Sequence, residues 1–377
     1  EQVIEMAMLA ADFSPGEADR LRRSMAAWRR SGDLEPFERR LVEGMTANGY
    51  TEDFARRMFA QIRGFAGYGF PESHAASFAL LAWASAWLRH HYPAALTAAL
   101  LNAQPMGFYA PAQLVRDARD RGVTVLPVDV NRSGTGSGLE DDGRGGAALR
   151  LGLDRVRGLS AGARERIVAA RPPEGWRDVQ ALARAAALDR GDLDALAEAD
   201  ALAGLAGHRA DARWTAAGVQ PPLPLFDAER DAPSPGLPAP REGESIRDDY
   251  ASLGLSLRRH PLALLRPRLR GWRTADACRA LGDGSRVVTG GLVVTRQQPS
   301  TATGVTFLTL EDETGSLNVI VWRRVAERYR NPLYGARLLC VEGHMQCSDG
   351  VVHVIARRLH DESPRLGRLA TRSRDFQ

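Results

Sequence analysis

Residues 65–93, FAGYGFPESHAASFALLAWASAWLRHHYP, join a glycine-rich aromatic turn to a Ser73–His74 pair and then to a long apolar stretch. Glycines at 64, 67 and 69 let the backbone approach a ligand closely. The apolar stretch reads as a helix whose first turn carries the pair, and free N–H groups at a helix start favour phosphate. Ser73 and His74 can donate to that same group. Arg22 and Arg23, in the run LRRSM, add guanidinium forks that match phosphate oxygens two at a time. Side chains of these types suit a nucleotide or a polynucleotide. Each also has a plainer reading: Arg22 and Arg23 as surface charges, and His74 as a helix cap satisfied by backbone. His90 and His91 are adjacent and point to different helix faces. No nucleophile or carboxylate is spaced to build a hydrolase from them and His74.

Arg258, Arg259, Arg266, Arg268, Arg270 and Arg273 fall within sixteen residues that contain no acid. As a stripe on DNA they would release roughly five counterions and make binding steeply salt-dependent; otherwise they form a solvated helix face. Bulk charge decides little, because 50 basic residues, all arginine, stand against 46 acids for a formal charge of +4.

The elements that must position these groups begin with helices over residues 1 to about 100. Ser14-Pro15-Gly16-Glu17 is a capping box with proline at the first helical position. Asn48-Gly49 closes a helix and Thr51 opens the next. VTVLPVDV reads as a short strand and residues 132–146 as a flexible loop. LRLGLDRV then leads through Arg157-Gly158-Leu159-Ser160-Ala161-Gly162 into RERIVAAR. Two short helices joined by such a hairpin form a helix-hairpin-helix, in which exposed N–H groups hold a DNA phosphate. LARAAALDRGDLDALAEADALAGL supplies a second pair, giving a tandem unit.

Residues 215–245 hold seven prolines around the apolar island PLPLF, which includes Leu225 and Phe226. Such an island docks in a partner's groove or tucks back on its own domain. From Arg286 the period becomes two. Five strands with a helix (VAERYR) after the third outline an OB fold, which binds single strands in a charged groove or serves as a protein-binding or structural module. Arg296, in the first strand, joins Arg258 and Arg259 as an expected DNA contact.

At 377 residues and 44% hydrophobic content, the chain is long enough for two or three domains with real cores. Cys278, Cys340 and Cys347 contain no CxxC pair, which argues for a reducing, cytoplasmic setting and against a disulfide framework or zinc site. The uncharged run 75–88 is only fourteen residues long, short of the roughly 20 a membrane span needs, and reads as a buried core helix. Residue 1 is Glu, with no start methionine or signal pattern, so the chain reads as a piece of a longer protein.

Taken in order, LRRSM, FAGYGFPESHAASFALLAWASAWLRHHYPAALTAALLNAQPMGFY, VLPVDVN, LGLDRVRGLS, PLPLF, LGLSLRRHPL and the OB-like block resemble the C-terminal half of a bacterial C-family DNA polymerase, over nearly the whole chain. The likeness is to the error-prone translesion branch more than to the replicative polymerase III alpha subunit. Pro71-Glu72 stands where the replicative pattern has Asn-Lys, QPMGFY at 104–109 is an error-prone signature, and about seventeen residues follow the last strand, too few for the replicative subunit's clamp-loader-binding domain. The resemblance implies a multidomain α+β chain: a helical fingers-like domain (1–131), a tandem helix-hairpin-helix region (132–214), a Pro-rich linker (215–245), connecting helices (246–285), a five-stranded OB-fold β-barrel (286–360) and a tail (361–377).

That resemblance places Arg22, Arg23, Tyr68, Ser73 and His74 at the incoming dNTP, while the hairpin, the arginine run and the barrel make Gly158, Ser160, Gly162, Arg258, Arg259 and Arg296 the expected contacts to template-primer DNA. It implies nucleotidyl transfer with Mg²⁺ held by palm carboxylates. Those carboxylates have no match here, so this chain is expected to carry no catalytic or metal-binding residue and to be inactive alone. PLPLF sits where replicative relatives bind the sliding clamp, with proline in place of the glutamine whose amide would hydrogen-bond; weak clamp binding is expected, with an accessory Y-family-like mutagenesis protein as partner. The alternative is a non-catalytic DNA-binding or scaffold protein. An acidic palm motif upstream of residue 1 would decide between them.

Overall fold

The computed structural model describes residues 2–31, 35–68, 72–106, 109–219, 235–299, 304–348, 350–369 and 374–376; the side chains of 2, 25–31, 64–68, 72–74 and 374–376 are not described. The chain divides into two compact units, residues 1–91 and 92–377.

The first unit is helical: α1 (Gln2–Ala11), α2 (Pro15–Ser31), α3 (Glu35–Ala47), α4 (Glu52–Tyr68) and α5 (Glu72–His91). The capping box forms as expected, with the Ser14 N–H and Oγ–H both donating to Glu17 Oε2 (2.8 and 2.7 Å). Gly49, at φ +88°, ends α3, and Thr51 Oγ1 accepts from the Phe54 N–H at the start of α4. Ala7, Ala11, Leu21, Leu41, Met45 and Phe59 form a small core. There α1 passes so close to α3 that a Cβ on Gly44 would lie 2.4 Å from the Ala11 carbonyl oxygen. Helix α5 departs from the expectation of a buried core helix. Phe78, Leu80, Leu81 and Trp83 are all more than half exposed, because this core closes on the helices before α5.

The second unit opens with α6 (Pro93–Asn102), α7 (Pro111–Asp120) and a small sheet of β1 (Val125–Leu126), β2 (Gly138–Asp141) and β3 (Ala147–Arg150), in the order β1-β3-β2. The segment 132–146, expected as a loop, thus contributes a strand. Asp142 Oδ1 makes the hairpin by accepting from the Arg144 and Gly146 N–H groups (2.7 and 2.8 Å). Then follow α8 (Ala161–Ala169), α9 (Val179–Ala185), α10 (Arg190–Glu198), α11 (Ala203–Ala206) and α12 (Arg209–Gly218). Leu101, Leu114 and Val115 of α6 and α7 share one core with Leu149, Ile167, Leu182 and Leu193. The boundary expected after residue 131 therefore falls after residue 91, because α6 and α7 bury their apolar faces with the hairpin helices.

Beyond the linker come α13 (Glu242–Ser252), α14 (Pro261–Leu265) and α15 (Ala275–Arg279), and then the barrel: β4 (Arg286–Gln297), β5 (Thr306–Asp312), β6 (Gly315–Val321), α16 (Arg323–Arg328), α17 (Arg330–Gly335), β7 (Leu338–Ser348) and β8 (Val351–Asp361). The five strands run β5-β6-β8-β7-β4, and β4 pairs back onto β5 to close the barrel, with the helix after the third strand as the sequence implied. Only β6 and β8 run parallel within it. Segment 374–376, in the expected tail, pairs with β4. Gly290 admits Trp272 against β4: a Cβ there would meet its ring at 2.4 Å.

Two sets of charges fix the helices, one to each other and one to the barrel. Arg209, 1% exposed, donates to Asp249 Oδ1 (2.5 Å) and the Ser245 carbonyl (3.1 Å), tying α12 to α13. Glu311 on β5 meets Arg116 Nη1 of α7 at 2.9 Å and His260 Nε2 at 3.4 Å. Burial works to raise the Glu311 carboxyl, but the His260 hydrogen bond and the Arg116 charge outweigh it and hold the group below its ordinary range.

Asp249→Ala leaves a buried guanidinium without its carboxylate and is expected to cost about 3–5 kcal/mol in urea unfolding, whereas Asp249→Asn, which keeps an acceptor, loses less. Because the Glu311 pKa is lowered on folding, its stabilisation is present above the unfolded value of about 4.3 and is lost as pH falls through the folded one. Glu311→Gln is expected to flatten that acid limb in unfolding midpoints measured against pH; an unchanged limb would assign it to other carboxylates.

Candidate nucleic-acid interface

Arg22 and Arg23 project from α2 into solvent, with side chains 55% and 73% exposed, and both rest on Asp19 (2.9 and 2.7 Å). The Arg22 hydrogen bond, opposed by some desolvation, holds the Asp19 carboxyl below its ordinary range. Exposed pairs of this kind hold together weakly, so both guanidinium groups are free to exchange Asp19 for a phosphate. Tyr68 ends α4 and Ser73 and His74 begin α5, but their side chains lie outside the described residues. Leu225 and Phe226 lie outside them altogether.

The two hairpins are present. The first differs from the expected helix pair in its entry, which is strand β3 and a single 3-10 turn at Leu153–Arg155 rather than a helix. Gly158 turns the chain at φ +86°, and Ser160 caps α8 by accepting from the Ala163 N–H (3.2 Å). Ala161 and Gly162 are exposed, and the first turn of α8 carries no acid. A Cβ on Gly162 would meet only the tip of the Arg166 side chain at 3.1 Å, so the backbone there does not require glycine. The second hairpin joins α9 to α10 through Ala187, at φ +47°, with Asp189 as the cap.

Each hairpin is held by a side chain from the other's helix. Arg166 of α8 donates to the carbonyls of Ala186 (2.6 Å) and Ala187 (3.0 Å) in the second hairpin. Asp192 of α10 is 4% exposed and accepts from the Ser160 N–H in the first (3.2 Å). Arg157 locks the first hairpin onto α13, where its guanidinium reaches the Tyr250 and Ala251 carbonyls (3.2 and 3.0 Å). The tandem unit is thus one rigid block with the first hairpin's outer N–H groups turned to solvent.

Of the expected DNA contacts, Arg296 needs correction, whereas Arg258 and Arg259 stay at the surface with acid partners. Arg296 is 6% exposed, and its guanidinium donates to the carbonyls of Leu333 (2.7 Å) and Ala336, in α17 and the residue that follows it. It is a structural cross-link, because a strand residue facing inward cannot reach a phosphate. Arg258 pairs with Asp200 (2.8 Å) and Asp249 (3.4 Å), and Arg259 Nε donates to Glu242 (3.0 Å). Arg266 likewise holds Glu313 at 2.6 Å. The acid-free run in sequence is thus answered at Arg258, Arg259 and Arg266 by acids from elsewhere in space. Arg268, Arg270 and Arg273 remain exposed.

A surface on the barrel went unnoticed in the sequence. Phe307, Ile320, Ile355 and His344 are partners in register across β5, β6, β8 and β7, and Thr309, Asn318, His353 and Gln346 form a parallel row. The intervening Leu308, Val319, Val354 and Met345 fill the barrel core, so both rows face outward. Trp322, 54% exposed, stands at the end of β6. The visible signal was the alternation in VTFLTL and LNVIVW; the register that aligns the rows was not readable. Among the described residues no group of three or more His, Cys, Asp or Glu side chains could hold a metal ion, and no helix is long and apolar enough to cross a membrane.

Comparison with known proteins agrees with this layout. Residues 1–49 match the bacterial DNA polymerase III alpha subunit finger domain, residues 122–212 the helix-hairpin-helix motif, and residues 287–361 the OB-fold nucleic acid binding domain. The whole chain is 56% identical to an error-prone DNA polymerase of Alkalilimnicola ehrlichii, 52% to one of Methylococcus capsulatus and 54% to one of Pseudomonas paraeruginosa, and covers 37%, 38% and 37% of those proteins. Finger domain, hairpins and barrel follow one another in a single chain that is similar throughout to error-prone DNA polymerases and spans a little over one third of the length of those relatives.

Proposed function

We propose that this chain is the DNA- and nucleotide-engaging part of an error-prone DNA-directed DNA polymerase that acts in damage-induced mutagenesis and translesion synthesis in the cytoplasm. The observation that carries the reading is similarity along the whole chain to error-prone DNA polymerases, with a rigid tandem hairpin and a nucleic-acid-binding barrel in its span. Arg22 and Arg23 grip the triphosphate of the incoming dNTP, with Tyr68, Ser73 and His74 completing the pocket. The hairpin at Gly158, Ser160 and Gly162 tracks the phosphates of the template-primer duplex.

In this reading Mg²⁺ would be held by palm carboxylates of the parent protein, which have no match in this sequence, and the fragment alone would be inactive. When bound, Mg²⁺ activates the primer hydroxyl and stabilises the leaving pyrophosphate. Leu225 and Phe226 offer a weak sliding-clamp contact, which leaves access to the primer end dependent on an accessory Y-family-like protein.

Primer extension past an abasic site by the full-length parent with Mg²⁺ tests the pocket. Arg22→Ala, Arg23→Ala and His74→Ala are each expected to raise the KM for dNTP about tenfold or more, the scale of a lost charged hydrogen bond, with DNA affinity unchanged. Normal extension by all three would remove the pocket. Gly158→Val forces a β-branched side chain into φ +86° and is expected to weaken duplex binding roughly tenfold. Gly162→Ala, at an ordinary φ, changes it less than about twofold. Equal duplex affinity across a salt series for wild type and Gly158→Val would count against the hairpin contact.

A further inference from the structure

A groove of about 270 Å³ lies between the start of α13, α14 and the 3-10 turn Ser363–Leu366 with the residues that follow it. Buried Ile246, Leu366 and Leu369 and half-buried Leu264 and Leu265 give it an apolar lining. Gly243 leaves it open: a Cβ at this exposed position would lie 3.7 Å from Leu264 Cδ1, so any larger side chain there would enter the groove. The volume falls below the roughly 300–1,000 Å³ of small-molecule sites and suits one or two apolar side chains of a peptide. Its charged lining is unbalanced, with Arg247, Arg365 and Arg368 against the single acid Glu244. Glu244 Oε2 is taken up by the Arg241 N–H (2.9 Å). Arg247 shares the Asp248 carboxylate with Arg213 (both 2.8 Å), and Arg365 rests on Glu362 in a partly exposed pair (2.5 Å). Arg368 is exposed and has no carboxylate partner among the described residues. Exposed pairs are weak, so all three guanidinium groups are free to meet an incoming acid.

We propose that this groove docks an acidic peptide of a partner protein, whose leucine or phenylalanine side chains fill the apolar lining while its carboxylates meet Arg247, Arg365 and Arg368. Charge complementarity decides for this occupant. Apolar anchors in a groove supply the contact, and the charged rim fixes which peptide is accepted. A DNA backbone would use the arginines but has no apolar side chain to place among Ile246, Leu264, Leu265, Leu366 and Leu369. A second copy of this chain meeting the groove through a two-fold axis would set the same patch against itself, arginine facing arginine. The exposed Arg268, whose carbonyl accepts from Arg365 Nη1 (3.4 Å), extends the positive rim beyond the groove.

Fluorescence anisotropy of the 377-residue chain with a labelled peptide that carries a Leu-Leu-Phe core between aspartates tests the groove, with a lysine-flanked version as control. Wild type is expected to bind the acidic peptide and not the basic one, with affinity falling as salt is added. Gly243→Leu, which plugs the groove, is expected to lower the affinity about tenfold, and Arg368→Glu about fivefold. Arg144→Glu, at an exposed arginine of the β2–β3 hairpin, is expected to change it less than about twofold. All three positions are exposed, and leucine is a better helix former than glycine, so the fold is kept, which circular dichroism of the same samples checks. Equal binding by wild type and Gly243→Leu, or no binding of the acidic peptide by wild type, would overturn the proposal. Displacement of the peptide by duplex DNA would also overturn it and assign the arginines to a nucleic-acid backbone; a dimer that Gly243→Leu dissolves would assign the groove to a second copy instead. Failure in any of these ways leaves the DNA- and nucleotide-engaging reading of the chain untouched.

Discussion

A buried guanidinium has to be met by acceptors, and this constraint shapes the second unit, whose only strong cations are arginines. Arg209 is sealed against Asp249 and Arg296 against the carbonyls of Leu333 and Ala336, while Arg166, its side chain 45% exposed, uses the same fork on the carbonyls of the second hairpin. In each case the fork geometry joins two elements that apolar packing alone would leave free to slide. An arginine used in this way is withdrawn from DNA. What this unit leaves to solvent includes the exposed start of α8, one patterned face of the barrel and the exposed Arg268, Arg270 and Arg273.

The hairpin block illustrates how the constraint becomes rigidity. Asp192 sits almost out of solvent between the two hairpins, where it accepts from Ser160 and lies 3.9 Å from Arg166. The Ser160 N–H is consequently spoken for, and the backbone groups available to a phosphate are those that follow it at the start of α8. Ala163, Ile167, Leu182, Leu193 and Leu196 pack beneath both hairpins, so the loops are braced from below by apolar contacts and from the side by charge.

Much of this was legible in sequence because it is governed by local rules. The Ser14–Glu17 box, the glycine at 49, the hairpin at Gly158 and the alternating strands from Arg286 each follow from short-range steric or hydrogen-bonding requirements. Long-range partners were not legible. Arg258 and Arg259 looked free because their acids, Asp200, Asp249 and Glu242, lie 58, 9 and 17 residues away in sequence. Arg296 looked like a surface contact because the β-bulge at residues 293–295 shifts which face a given position takes. The apolar run 75–88 looked buried by composition, and nothing in composition states which surface covers it. Likewise the rows on the barrel depend on the parallel pairing of β6 with β8, which no periodicity encodes.

The joint at Glu311 has a further mechanical consequence. Arg116 and His260 converge on a strand of the barrel from two separate helical segments, and Arg116 also reaches the Asp312 carbonyl at 3.0 Å. Barrel and hairpin block are therefore pinned at a set separation. A strand of any kind that reaches from one to the other therefore meets a span fixed by side-chain contacts rather than by a flexible joint.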